Sequence, residues 1–195
     1  MPDRPIPDRA VTLLALRPGN VVIDVASGTG LSFGLIMNAI GPTGHLIAIE
    51  HSPEMMAIAR RRVEEAGWHN VSLIQSAVED ANLPKTADAI LFHCTHDVLQ
   101  SPVALAVLFT AARDGARVAV VGAKFTSWWL APLNLWVLFR TRRYLSTYRG
   151  LGRPWRHLAS YVPDLRVSSH LQDTGYVAHG RYRLPSAEPP STSSQ

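Results

Sequence analysis

Short apolar runs alternate with longer mixed stretches along the first 122 residues. Val21 to Val25 is a β-branched run, the pattern of a strand covered on both faces of a parallel sheet. His45 to Glu50, Val71 to Gln75, Ala87 to Phe92 and Arg117 to Val121 read as four further strands, the last entered through a turn at Asp114-Gly115. Helical stretches lie between them. A short one is predicted from Ala10 to Leu16, ahead of the turn signal Pro18-Gly19. An apolar one runs from about Leu31 to Ile40 and stops at Gly41-Pro42-Thr43-Gly44. A third opens with Ser52 as N-cap and Pro53 at the first helical position, and runs to about Ala66 before Gly67. A fourth covers Ser101 to Ala112. This alternation predicts an α/β, doubly wound, Rossmann-like sheet, which binds ligands at the carboxyl ends of its strands where the strand order reverses.

The last third breaks the rhythm. Trp128 to Tyr148 is apolar and aromatic, with Arg140, Arg142 and Arg143 towards its end. Leu165 to Leu171 and Tyr176 to Arg183 read as two closing strands joined by a turn at Asp173-Thr174-Gly175. Residues 185–195 are a Pro/Ser tail expected to be disordered, which leaves 1–184 as a single domain. No internal repeat is visible.

Composition narrows the class. The chain is 47% hydrophobic and 17% charged, an ordinary globular balance. Its net charge of +4 comes mostly from arginine and forms no basic stripe with interleaved aromatics, so nucleic acid is not the expected partner. Cys94 is the sole cysteine, which rules out an intrachain disulfide and suits a reducing, cytoplasmic setting. The N-terminus lacks a signal-peptide pattern, and the apolar run near 125–139 is short for a membrane span, which needs about 20 residues.

The candidate chemistry sits at the predicted strand ends. The first strand leads into Asp24-Val25-Ala26-Ser27-Gly28-Thr29-Gly30, where glycines let the backbone approach a ligand closely. Glu50 closes the second strand, where an acid can accept both ribose hydroxyls of an adenosine. Ala77-Val78-Glu79-Asp80 follows the third strand, within reach of an adenine edge. His93-Cys94-Thr95-His96-Asp97 follows the fourth. A dinucleotide fingerprint wants Gly-x-Gly-x-x-Gly, but Phe33 stands where the third glycine belongs. Asp24 also suits an ammonium better than a pyrophosphate. There is no Tyr-x-x-x-Lys pair and no Gly-Lys-Ser/Thr, which excludes short-chain dehydrogenase chemistry and a P-loop.

Two stretches carry a family likeness. Val22 to Gly30 resembles the first motif of the class I S-adenosylmethionine-dependent methyltransferases, and Ile47 to Met55 resembles their second. The likeness is to the methyltransferase-11 and ubiquinone/menaquinone-methyltransferase-like branch and covers about residues 15–123. It implies strand order 3-2-1-4-5-7-6 with strand seven antiparallel, and S-adenosylmethionine as cofactor. By the same carry-over, Asp24, Ala26, Ser27, Gly28, Thr29 and Gly30 hold the methionine part. Glu50 holds the ribose, His51 belongs to the same cofactor-binding set, and Met55 packs near the adenosine. Ala77 and Val78 hold the adenine, and His93 completes the set. Two positions depart from the family pattern. Ala26 replaces the first glycine, so its backbone is expected in an ordinary region. Ser76 replaces an adenine-binding aspartate, and either it or Glu79 or Asp80 is expected to take that task.

The acceptor side admits more readings. His96 can act as a general base oriented by Asp97, since imidazole titrates near neutral pH, or the cluster can line the pocket and cap the next helix. Zinc at His93, Cys94 and His96 lacks a second ligand cluster, so no metal is expected. Trp128 and Trp129, with Trp136, Phe139 and Tyr144, suit a lid over a small apolar or aromatic acceptor. The same segment, 125–145, also suits a core helix or peripheral contact with an anionic membrane. The leading expectation is methyl transfer by direct displacement. The alternative is a non-catalytic S-adenosylmethionine-binding module or partner subunit, motivated by the short arm before the first strand.

Overall fold

A computed structural model of the chain describes residues 6–124, 150–170 and 174–184, with 6–8 and 170 by backbone alone. Its helices are α1 (Ile6–Leu13), α2 (Phe33–Ile40), α3 (Pro53–Glu65), α4 (His96–Gln100) and α5 (Pro102–Ala111). Its strands are β1 (Val21–Val25), β2 (His45–Glu50), β3 (Val71–Gln75), β4 (Ala87–His93), β5 (Ala112–Ala123), β6 (Arg166–His170) and β7 (Gly175–Arg181). All seven strands join in one sheet of order β3-β2-β1-β4-β5-β7-β6. The β1–β2, β1–β4, β2–β3 and β4–β5 pairs are parallel, and β7 runs antiparallel between β5 and β6. This is the order and the strand reversal that the motif likeness implies.

The period-2 alternation of strand side chains divides the core into two layers. Ile23, Val25, Ile49, Phe92 and Val120 face α5, where Leu105, Leu108 and Phe109 pack on them. Val22, Leu46, Ala48, Leu91 and Ala119 face α1 and α2, against Leu14, Phe33 and Ile36. Burying each of the larger side chains contributes about 1.5–3 kcal/mol. With helices on both faces, the central strands have no solvated side, which explains their unbroken apolar runs.

Several boundaries differ from expectation. α1 occupies Ile6–Leu13 rather than Ala10–Leu16, because the chain leaves the helix at Ala15, whose φ is +43°. Pro7 falls in the first turn, where its missing N–H costs nothing. α2 starts at Phe33, not Leu31, because Gly28 and Gly30 have φ of +58° and +74° and extend the turn. α3 begins as its cap predicts, and α5 starts after a like cap at Ser101. The Ser52 hydroxyl accepts from Met55 N–H at 3.3 Å and the Ser101 hydroxyl from Ala104 N–H at 3.2 Å. The expected turn at Asp114-Gly115 is a bulge inside a longer β5, since pairing with β4 slips between Ala87 and Ala89. The closing strands are Arg166–His170 and Gly175–Arg181, each shorter than expected. The 128–148 segment, most of the turn before Gly175 and the tail lie outside the described residues.

After β1 the chain moves outward to β2 and β3, then returns to β4 and β5 on the other side. The carboxyl ends of β1 and β4 therefore flank the point where strand order reverses, which is where open α/β sheets bind ligands.

Candidate functional site

A cleft of about 540 Å³ opens at these strand ends, within the range of small-ligand sites. Four consecutive strands contribute to it: Ala26 after β1; Ile49, Glu50 and His51 at β2; Ser76 to Glu79 after β3; and Cys94 to Val98 after β4.

Glu50 is its best-defined group. The residue is 4% exposed, yet it forms part of the cleft wall. One oxygen accepts from Gly28 N–H at 2.9 Å and the other from Ser52 N–H at 2.8 Å. His51 Nδ1 lies 3.3 Å from the second oxygen. Two backbone donors thus fix the carboxylate's orientation, and each oxygen keeps a lone pair for a ligand hydroxyl.

The β1 turn is held from several sides. Ser27 N–H donates to Ile49 O at 2.9 Å, which ties the turn to β2. The Arg62 side chain on α3 donates to Thr29 O at 3.1 Å. A Cβ on Gly28 would lie 3.9 Å from Met55 Sδ, so Met55 packs beside the turn. A Cβ on Gly30 would lie 2.6 Å from the Phe33 ring, so this glycine answers a packing need. Phe33 fills the space where a dinucleotide fingerprint keeps its third glycine.

Ala26 does not sit in an ordinary backbone region. Its φ is +48°, so the expectation for it fails. The chain must leave β1 sharply while Ser27 N–H still bonds to Ile49, and that geometry needs a left-handed residue whatever its side chain. Of the three left-handed non-glycine residues among the described ones, Ala15 follows α1, while Ala26 and Cys94 (φ +58°) both line the cleft. Strained residues gather at functional sites.

Asp24 is not part of the cleft lining. It lies on the α1/α2 side of the sheet, 1% exposed, with one oxygen accepting from Ser32 Oγ. Its Oδ1 has no hydrogen-bond partner among the described residues. Burial pushes its pKa from 3.8 up to about 7, against the lowering effect of Ser32 and with a further rise from the Glu50 charge. Of the other predicted cofactor residues, Ala26, Glu50, His51, Ala77 and Val78 line the cleft, while Ser27, Gly28, Thr29, Gly30, Met55 and His93 do not. His93 is half-buried, and burial holds its imidazole below the ordinary range.

The Ser76 hydroxyl donates to Ala77 O at 2.8 Å. Glu79 lines the cleft and accepts from Ser101 Oγ at 2.7 Å, whereas Asp80 is not part of the wall. His96 (6% exposed) and Asp97 both line the β4 side. Ile49, Thr95 and Val98 were not singled out from sequence. Thr95 is 6% exposed and its hydroxyl has no hydrogen-bond partner among the described residues. The polar run after β4 was its only signal. Trp128 and Trp129 lie outside the described residues. Among the described residues no His/Cys/Asp/Glu group is arranged to hold a metal ion, and no helix is long and apolar enough to cross a membrane.

Residues 22–115 match a family model described as a methyltransferase domain. A methyltransferase from Aquifex aeolicus, described as S-adenosylmethionine-dependent, superposes with a TM-score of 0.63 over 91% of this chain and 89% of that one, at 20% identity. The matched stretch runs from β1 into β5 and takes in the strand ends that line the cleft. An RNA methyltransferase from Salinibacter ruber, solved with S-adenosyl-L-homocysteine, shares the fold, with a TM-score of 0.62, 19% identity and 97% of each chain covered. Two curated relatives are similar over shorter stretches. A protein-L-isoaspartate O-methyltransferase of Methanothrix thermoacetophila is 40% identical over 62 residues, 32% of this chain. A demethylmenaquinone methyltransferase of Listeria welshimeri is 33% identical over 72 residues, 37% of this chain. In each case the match spans 30% of the relative's length.

The residues present fit S-adenosylmethionine. The fixed Glu50 carboxylate suits vicinal hydroxyls, and Ile49, Ala77 and Val78 give the same wall apolar surface for a base.

Proposed function

We propose that the protein transfers a methyl group from S-adenosylmethionine to a small, apolar or aromatic acceptor by direct displacement. The observation that carries this reading is Glu50, which lines the cleft at the end of β2 with its carboxylate held by the Gly28 and Ser52 N–H groups. Glu50 would hold the ribose hydroxyls, with His51 beside it. Ile49, Ala77 and Val78 would enclose the adenine, and the Ala26 turn would meet the methionine part. When bound, S-adenosylmethionine supplies a methyl on a cationic sulfur that leaves as a neutral thioether, so an acceptor lone pair displaces it without further activation.

What the protein adds is alignment, and that supplies much of the acceleration in such a reaction. His96, with Asp97 next to it, stands on the β4 side of the cleft. It is the candidate to accept a proton where the acceptor must lose one. The aromatic stretch around Trp128 and Trp129 supports an apolar acceptor. The relatives' names range over protein, quinone and ribosomal RNA acceptors, so they do not select among these classes.

Titration calorimetry tests the cofactor. The protein is expected to bind S-adenosylmethionine and S-adenosylhomocysteine, and Glu50→Gln to weaken both about ten- to a hundredfold, the loss of charge-assisted hydrogen bonds. Absence of binding at millimolar ligand would end the proposal. Turnover with phenols, amines, quinone precursors and RNA then tests the acceptor. Binding without turnover on any of them would favour a non-catalytic module.

A further inference from the structure

Three arginines meet at the end of the sheet opposite the cleft. Arg117 on β5 and Arg181 on β7 are direct partners in the antiparallel register, so their side chains leave the same face of the sheet. Like charges placed this way destabilise a strand pair. Arg17 is tied to the same spot by its main chain: Asn20 Oδ1 accepts from Arg117 Nη2 at 2.8 Å and from the Arg17 backbone N–H at 2.9 Å. Asn20 is neutral, so it compensates no charge.

Each nearby acid has a partner other than the three guanidinium groups. Asp88 accepts from Arg113 at 2.7 Å with one oxygen and from Val21 N–H at 2.8 Å with the other. Asp164 accepts from the Arg181 backbone N–H at 2.8 Å. Asp114 lies 3.5 Å from Arg183. None of Arg17, Arg117 and Arg181 forms an ion pair among the described residues. Burial first, and the charges of Arg17 and Arg181 next, hold the Arg117 guanidinium below its ordinary range, while Asp88 acts in the opposite sense.

We propose that Arg17, Arg117 and Arg181 form an anion site for a small phosphate-bearing ligand with at least two negative charges. Guanidinium groups suit phosphate because their N–H donors match its oxygens in pairs. The engaged acids Asp88, Asp114 and Asp164 interrupt the surface around the cluster, so the positive field stays local. A compact diphosphate matches a local group of three cations, whereas a nucleic-acid backbone needs a continuous track. An occupant would relieve the repulsion built into the β5–β7 register.

The probe is pyrophosphate, followed by calorimetry and thermal unfolding of the whole chain at low salt. Saturable binding and a raised Tm are expected. The Arg17→Gln/Arg181→Gln double variant should lose about tenfold or more in affinity. Arg181→Gln alone should melt higher than the native protein without anion, because repulsion is removed. S-adenosylhomocysteine affinity should not change in either variant, which separates this site from the cleft. Vesicles containing phosphatidylglycerol distinguish the source: arginine-dependent binding to them would assign the phosphate to a lipid headgroup. The proposal fails if sodium chloride at equal ionic strength raises Tm as much as pyrophosphate does. It fails equally if the double variant binds as the native protein does.

Discussion

Asp24 is a carboxyl group buried at the end of a strand, bonded to Ser32 through one oxygen and to nothing described through the other. Its pKa of about 7 in the folded protein, against 3.8 as the ordinary value, sets the sign of a pH effect. Below about pH 4 the group is neutral in both states and costs nothing. As pH rises the unfolded chain ionises first, so stability falls, and above about pH 7 the loss is complete. A displacement of that size corresponds to on the order of 4 kcal/mol. Urea unfolding of the ligand-free protein at about pH 5 and pH 8 checks it: Asp24→Asn should remove most of the native protein's loss, and equal losses in both would refute this account. Ala26 gives a second test. A left-handed non-glycine residue costs about 1–2 kcal/mol, so Ala26→Gly should raise Tm by about 2–4 °C or more. A lower Tm would mean that the alanine methyl contributes packing that outweighs the strain. Neither property follows from residue type, since burial and φ depend on what surrounds the chain.

The strand–turn–helix unit from β1 to α2 behaves as one element. Gly30 carries a positive φ and lies under the Phe33 ring, while Gly28 donates to Glu50. Gly30→Ala therefore meets both strain and overpacking, with an expected cost of about 2–5 kcal/mol. Shortening the obstacle with Phe33→Leu should restore part of that stability, and chemical unfolding of the two variants and their combination would show whether it does. The sequence marked this unit well, because two glycines between a β-branched run and an apolar stretch have few other readings. It marked α1 and α4 poorly. α4 has five residues and no period to detect, and α1 starts four residues early because Pro7 is tolerated in a first turn. The bulge in β5 looks like a turn in the sequence for a related reason: Asp-Gly favours both, and only pairing with β4 and β7 keeps the strand continuous.

At the scale of the molecule, the cleft exists because strand order reverses between β1 and β4, and ligand binding there should stabilise the whole fold. S-adenosylhomocysteine at a hundredfold over its Kd should add about 2.7 kcal/mol, or roughly 5–10 °C in Tm for a chain of this size. A melting curve unmoved by saturating ligand would contradict the binding site. The alternating apolar pattern determined the sheet class, and the acids at successive strand ends pointed to the cofactor, because burial on both faces and ribose recognition leave local marks in a sequence. The roles of particular residues were decided by the tertiary structure. Asp24 and Glu50 both lie in the last two positions of parallel strands, but Glu50 lines the cleft and Asp24 lies against Ser32. Ala26 turns left-handed because Ser27 must reach Ile49. Arg117 faces Arg181 only because β7 runs antiparallel beside β5. Contacts of this kind join residues far apart in the chain, and a local pattern carries no record of them.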